Sequence, residues 1–401
     1  MEIDSLGSSI PKRVLFLARP AAVSGPGGFQ TQVSETKTAL ERLGVQIDLT
    51  LRADLDFTKY DIVHIFAGHG IWLNVSCFAM KAAKKAGVPV AVSTIYWDHS
   101  EWLSKLDSSA QFWQTEVKMP LMKKAIKCAM PAWLNAVYSW LRLRKSRLPL
   151  SDYYHWHKLD RKMPRTRSRD DIVKEMFLEA DILLPNSHTE MAHLRQHLGV
   201  ENKYHVVPNS ADLSFACAKP DWFVNEFGVK DFVMCAAYLS ERKNQLALLR
   251  AMKDTDVPLV LTGPAENQYA AVCRKEAGGS VLFTGPMSRE QIASAYAAAK
   301  VHVLPSYYET PGLASLEAAL AGCTIVTTDR GCTREYFGDF VYYCDPASEE
   351  SIRSAILKAL EGPPRAGLKE HIVKNFTWDR AGLETLKGYR TVLPEKSKEA
   401  K

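Results

Sequence analysis

The stretch VHVLPSYYETPGLASLEAALAG, residues 301–322, decides the fold. Val301–Leu304 is a short continuous apolar run of the kind that forms a parallel strand covered on both faces. Pro305 and Ser306 mark its exit, and Pro311–Gly312 precede a helix expected to start near Leu313. Strand, loop and helix in that order put the loop beyond the carboxyl end of the strand, where open α/β sheets bind ligands. The first-turn N–H groups of such a helix stabilise a diphosphate by about 0.3–1 kcal/mol at an exposed site and by more when partly buried. Glu309 stands before the turn and Glu317 within the helix. Glu317 is suited to accept a bidentate hydrogen bond from vicinal ribose hydroxyls, and Glu309 to face a sugar. On spacing alone, a loop charge at Glu309 and an electrostatic helix-turn partner at Glu317 fit as well.

Working outward, runs at Phe232–Ala236, Pro258–Leu261, Ser280–Phe283 and Thr324–Thr327 share the same character and alternate with helix-length segments. The first half repeats the theme at Val14–Ala18, Gln46–Leu49, Ile62–Phe66 and Val88–Ser93. Gly25, Gly27 and Gly28 separate the first of these from a helical segment, Gln30 to Leu43, again the order strand, glycine loop, helix. Ile182–Pro185 and Tyr204–Pro208 precede a change of unit. A chain of 401 residues is too long for one ordinary core. Two doubly wound α/β domains follow.

The composition, 46% hydrophobic and 24% charged, is that of a soluble globular protein. The net charge of +6 is unevenly spread. Residues 142–169 hold ten Lys or Arg against Asp152 and Asp160, a net +8, so the remainder carries −2. Tyr153, Tyr154 and Trp156 are interleaved there, beside His155 and His157, and an apolar stretch with Trp133, Tyr138 and Trp140 lies upstream. Such a segment reads as a solvated excursion of the first domain, or as a surface for an anionic membrane or phosphorylated acceptor. No zinc-finger or helix-turn-helix feature accompanies it, so no nucleic-acid partner is expected. The opening MEIDSLGSSIPKR has no basic leader followed by an apolar run, so a signal peptide is not expected. No stretch approaches the ~18 uncharged apolar residues of a membrane span. A cytoplasmic location, at the inner face of the membrane where the basic segment binds it, is the expectation. The eight cysteines are scattered without a C-x-x-C pair, which points to neither a disulfide framework nor a zinc site. The sequence carries no signal for an oligomeric state.

The residues around the glutamate pair resemble the signature of retaining glycosyltransferase family 4, the group 1 glycosyltransferases, written PS-x-x-E-x-x-G-L-x-x-L-E-A-x-x-x-G. Pro305, Ser306, Glu309, Gly312, Leu313, Leu316, Glu317, Ala318 and Gly322 stand at those positions. Further stretches occur in the family's order: VVPNSAD at 206–212, YLSERKNQ at 238–245, LTGP at 261–264, FTGP at 283–286, DRGCTREYFG at 329–338 and FTWDRAGLETLKGY at 376–389. The resemblance is strong from Ile182 to about Val392 and loose before that.

This resemblance implies the GT-B architecture, two Rossmann-like doubly wound domains facing a central cleft. Residues 1–205 would form the acceptor side, 206–375 the donor domain, and 376–401 a helix crossing back to the first domain with a polar tail. It also implies a retaining transfer of a hexose-like sugar from a nucleoside diphosphate sugar, UDP favoured and GDP next, to a glycan or lipid-linked acceptor. Lys243 and the Gly312–Leu313 backbone would hold the diphosphate, and Glu317 the ribose. Glu309 would bind the sugar hydroxyls and align the anomeric carbon. Gly263 and Gly285 would line the nucleotide pocket, while Gly27, Gly28 and Phe29 close onto the phosphates. No enzymatic nucleophile and no obligatory metal or other cofactor is implied, the leaving diphosphate helping to deprotonate the acceptor.

Three departures qualify it. The family's diphosphate arginine falls at Tyr238, with Arg242 as a substitute beside Lys243. The acceptor-side histidine is absent from STIYWDHS at 93–100, leaving Asp98 and His99 as the polar groups nearest its place. Pro311 stands where members often have an aromatic residue or glycine. A catalytically weak glycan-binding or assembly subunit and a nucleotide-sugar epimerase are the alternatives. The Asp254-Thr255-Asp256 motif, before the strand at Pro258, is too common a pattern to signify a metal.

Overall fold

The computed structural model describes residues 10–18, 27–66, 73–97 and 168–394, with isolated positions between 137 and 159. They divide into two compact units. The first holds the described residues up to Tyr96, those that follow up to Pro208, and the chain from Trp378 onward; the second holds Asn209–Thr377 together with Trp97.

The first unit is built on five parallel strands, β1 (Arg13–Leu17), β2 (Gln46–Thr50), β3 (Ile62–Phe66), β4 (Val90–Ser93) and β5 (Ile182–Leu183), in the order β2-β1-β3-β4-β5. The apolar runs form interior strands because helices cover both faces: every residue of β3 and β4 is buried. The helices are α1 (Gly28–Arg42), α2 (Leu73–Lys85), α3 (Arg169–Glu179) and α4 (His188–Leu198). Ser168 begins α3 in a reciprocal capping box with Asp171, and the Ser187 hydroxyl accepts from the Glu190 N–H at the start of α4.

The second unit is a six-stranded parallel sheet in the order β11-β10-β9-β6-β7-β8. Its strands are β6 (Phe232–Ala236), β7 (Leu259–Thr262), β8 (Val281–Gly285), β9 (Ala299–Leu304), β10 (Thr324–Thr328) and β11 (Tyr342–Cys344). The chain winds outward from β6 through β7 to β8, crosses back to β9, and continues outward the other way. The chain therefore runs away in opposite directions after the neighbouring strands β6 and β9, and this switch point is where such sheets bind ligands. Helices α5 (Asp221–Phe227), α6 (Gln245–Ala251), α7 (Gln268–Glu276), α8 (Arg289–Ala298), α9 (Leu313–Leu320), α10 (Thr333–Phe337), α11 (Glu349–Glu361) and α12 (Leu368–Asn375) complete it. Its core centres on Phe223, Phe232, Tyr296, Leu316 and Phe337, all essentially inaccessible.

The last helix, α13 (Trp378–Arg390), belongs to the first unit and packs on α1. Glycine makes that approach possible: a Cβ at Gly382 would lie 2.8 Å from the Ala39 side chain. On the same helix, Tyr389 Oη lies 2.6 Å from Nδ1 of the fully buried His64, whose Nε2 lies 2.8 Å from Ser93 Oγ. Burial pushes the His64 pKa down to about 3, so the ring is neutral, with one nitrogen donating and the other accepting. A second buried polar group organises the carboxyl end of this sheet. Glu190 accepts hydrogen bonds of 2.6 Å from Thr94 Oγ1, the Tyr96 N–H and the Asn186 N–H.

Candidate functional site

The helix of the signature stretch begins at Leu313, as its sequence requires, with Gly312 as N-cap at φ 91°. That left-handed backbone is open to glycine, and a Cβ there would press to 3.1 Å on Leu304 Cδ2 and 3.5 Å on Glu309 Oε2. The first turn of α9 lies at the carboxyl end of β9, with the Ser315 N–H donating to Gly312 O at 2.9 Å.

Glu309 reaches back across the crevice from the β9 loop to the β6 loop. Its Oε1 takes the Lys243 ammonium in a short ion pair, and Arg242 Nη1 approaches the same oxygen at 3.5 Å. The pair is enclosed, the side chains being 6% exposed for Glu309 and 14% for Lys243. Burial alone would raise the Glu309 pKa; the charges of Lys243 and Arg242 and the hydrogen bonding outweigh it, and the carboxyl is held below its usual range. Burial, with Arg242 alongside, lowers the Lys243 pKa, and Glu309 opposes that shift. Two further titratable groups interact with the pair from below. His302 on β9 has its pKa pushed by burial to about 3, and the Cys235 thiol on β6 is pushed up to about 12. Both are neutral at physiological pH.

The two loops are locked to each other by backbone and side-chain bonds. The Tyr307 N–H donates to Arg242 O at 2.9 Å, and Arg242 Nη1 donates to Tyr308 O at 2.7 Å. Asn244, in a left-handed conformation at φ 60°, donates from Nδ2 to Pro305 O and Pro346 O. From the far side, the Cys332 N–H donates to Glu309 O at 2.9 Å. Gly331 lets that backbone come so close that a Cβ would sit 2.2 Å from Glu309 O. Asn209 Nδ2 donates to Thr310 O at 3.0 Å, and the Asn209 N–H donates to Tyr336 Oη at 2.8 Å. Gly331, Asn244 and Asn209 fall within the family-like stretches 329–338, 238–245 and 206–212, which assigned them no role of their own. The available signal was a glycine or asparagine in a loop leaving a strand, where left-handed backbone or local amide bonding is needed.

The other expected residues are distributed as follows. Gly263, at φ 134°, follows β7 and donates its N–H to Gly285 O at 3.0 Å, and a Cβ there would strike Ala237 O at 2.2 Å. The exits of β6, β7 and β8 thus close up as a continuous rim. Tyr238 follows β6 with its ring about half exposed, and Glu317 is half-buried in the second turn of α9. Gly27 and Gly28 are exposed at the start of α1 in the first unit, with Phe29 half-buried. Asp98 and His99, and most of residues 142–169, lie outside the described residues. Asp254 and Asp256 are exposed in the turn leading into β7, at the end of the strand opposite Gly263. Among the described residues no group of three or more His, Cys, Asp or Glu is placed to hold a metal ion, and no helix is long and apolar enough to cross a membrane.

Residues 221–376 match the family model described as glycosyl transferases group 1, and residues 125–215 match glycosyltransferase family 4. The O-antigen chain mannosyltransferase B of Escherichia coli is 29% identical over 168 residues, 38% of this chain and 44% of that protein. The D-inositol 3-phosphate glycosyltransferase of Corynebacterium efficiens is 24% identical over 286 residues, 61% of this chain and 66% of that one. The alignments thus span about half to two-thirds of the length of these curated relatives. The crystal structure of Anabaena Alr3699/HepE in complex with UDP and glucose superimposes with a TM-score of 0.65 at 14% identity, covering 95% of this chain and all of that one. The chain has the GT-B fold of that solved structure, and its residues 221–376 are homologous to the glycosyl transferases group 1.

Proposed function

We propose that this chain transfers a hexose-like sugar, with retention of anomeric configuration, from a nucleoside diphosphate sugar to a glycan or lipid-linked acceptor. The observation that carries the proposal is the meeting of Glu309 and Lys243 at the carboxyl ends of β9 and β6, beside the open N-terminus of α9. A carboxylate suited to sugar hydroxyls and a cation suited to phosphate stand side by side there, with the N-terminus of a helix at the same edge. Lys243, Arg242 and the Gly312–Leu313 backbone hold the diphosphate in this reading, and Glu317 holds the ribose. Gly263 and Gly285 form the rim against which the nucleotide lies, and Tyr238 borders the phosphates. Gly27, Gly28 and Phe29 contribute from the first unit.

Glu309 aligns the anomeric carbon by binding the sugar hydroxyls, which limits the conformations from which the leaving group can depart. Lys243 and the helix N–H groups stabilise charge gathering on the departing diphosphate, an electrostatic contribution that needs no enzymatic nucleophile. A diphosphate oxygen then takes the acceptor's proton on the same face. UDP is favoured as the carrier, supported by the UDP bound to the Anabaena structure, with GDP next. A polysaccharide or glycoconjugate product is supported by the name of the E. coli relative.

A panel of nucleotide sugars tested by thermal shift, followed by mass analysis of the products, tests the proposal. Transfer or donor hydrolysis by the parent that collapses in Glu309→Ala and Lys243→Ala is expected. Unchanged turnover in both variants would reject the site. For a membrane-bound acceptor, the parent should bind anionic vesicles in a salt-sensitive way that deletion of residues 142–169 abolishes. No binding at low salt would remove the cytoplasmic membrane face as the place of action.

A further inference from the structure

We propose that the Glu309–Lys243 pair makes the site discriminate a complete nucleotide sugar from the bare nucleoside diphosphate. Lys243 turns to a diphosphate only by giving up Glu309, and the sugar's hydroxyls are what replace it on that carboxylate. The proposal rests on the donor-pocket reading given above and assigns that pocket its control over product release.

The stoichiometry of charge in the crevice is the reason. Two cations, Lys243 and Arg242, converge on a single carboxylate oxygen, Glu309 Oε1. Arg242 is further committed, donating from the same Nη1 to Tyr308 O at 2.7 Å. At the position where the family resemblance calls for another cation, Tyr238 is neutral and 51% exposed. An incoming diphosphate therefore competes with Glu309 for the same positive charge. Glu309 is enclosed, so water compensates the released carboxylate less fully than bulk solvent would. A bare nucleoside diphosphate gains Lys243 and leaves a buried carboxylate short of compensation. A nucleotide sugar gains Lys243 and returns hydroxyl donors to Glu309. Once the sugar has been transferred, Glu309 loses those donors and recaptures Lys243, which weakens the hold on the product.

The exchange has a proton signature. Among the described residues, Arg242 on the β6 side, His302 on β9 and Cys235 on β6 are the other charged or titratable groups that interact with the pair. His302 and Cys235 are neutral across the working range. When Lys243 moves to a diphosphate, the main influence holding the Glu309 carboxyl acidic is weakened while burial continues to oppose its charge. Glu309 then takes up a proton on binding the bare nucleotide, and binding tightens as pH falls.

Isothermal titration of UDP, and separately of GDP, into the parent and Glu309→Gln tests this. The variant is expected to bind whichever nucleotide the parent binds roughly tenfold tighter or more, since the uncompensated charge has gone. Repeating the titration at pH 8, where the terminal phosphate of the free nucleotide is already fully ionised, in buffers of different ionisation enthalpy should show net proton uptake by the parent and none by the variant. The proton measurement on the parent stands even if the variant folds poorly. Equal or weaker nucleotide binding by a folded variant, or no proton uptake by the parent, overturns the inference while leaving the donor pocket in place. Failure of both nucleotides to bind any form removes the donor-pocket reading and this inference together.

Discussion

Replacing Lys243 with methionine keeps most of the side chain's volume and removes its charge, so it isolates what the ion pair does for the fold. In the parent, Glu309 is 5% exposed and holds Lys243 as its nearer cation, with Arg242 Nη1 at 3.5 Å. Stripping one partner from a buried pair costs about 3–5 kcal/mol when nothing replaces it. Arg242 remains beside the same oxygen and offsets part of that loss, which brings the expected destabilisation to roughly 2 kcal/mol. Glu309→Gln should cost a comparable amount by leaving two cations facing each other. The double variant, which leaves neither charge of the pair, should cost clearly less than the sum, by about 1–3 kcal/mol of coupling. Equilibrium urea unfolding of the parent, both single variants and the double variant closes this cycle. Additive effects, or a Lys243→Met change below about 0.5 kcal/mol, would refute the view that these two charges compensate each other in an enclosed site.

Acid should weaken the fold through its buried imidazoles. His64 and His302 are held neutral with pKa values of about 3 against the ordinary 6.5, so the unfolded chain binds more protons between those limits. Stability is therefore lost as pH falls through that window, by up to ~1.4 kcal/mol per pH unit for each residue. His64→Gln should remove about one proton's worth of that slope; urea unfolding at pH 7, 6 and 5 with an unchanged slope would contradict this. Gly331→Ala forces a Cβ toward Glu309 O in a left-handed backbone, and should lower the melting temperature and weaken UDP binding. Parent-like values in both measurements would show that the Gly331–Glu309 contact is dispensable. Tyr238→Arg adds an exposed cation at the rim of the site, and should tighten UDP binding about 3- to 10-fold at low salt, less at high salt. No change at low salt would place the residue away from the phosphates.

Much of this architecture is legible in the sequence because buried parallel strands announce themselves. The run Val301–Leu304 and its counterparts read as strands because helices on both faces leave no solvent side. The start of α9 was legible from Gly312, where only glycine relieves the left-handed backbone. The partnership of Glu309 with Lys243 was not, because 66 residues separate them and only the return crossover from β8 to β9 makes their strands neighbours. The family resemblance implied separate tasks, Lys243 for phosphate and Glu309 for sugar, and gave no hint that each neutralises the other. The supporting cage was illegible for a similar reason. Gly331 and Asn209 lie on loops distant in sequence from Glu309, and their value is in the backbone approach they permit. Glu190 gave no signal either, since a helical glutamate reads as a solvated charge until the fold buries it.

The central claim, that this crevice activates a nucleotide sugar, is tested most directly by mass analysis of the products formed from UDP-sugars and GDP-sugars by the parent and by Glu309→Ala. At least one donor should be converted by the parent, by transfer or by hydrolysis, with the rate reduced ~100-fold or more in the variant, as expected when a group that aligns the reacting centre is lost. Conversion at the parent's rate by Glu309→Ala would contradict it.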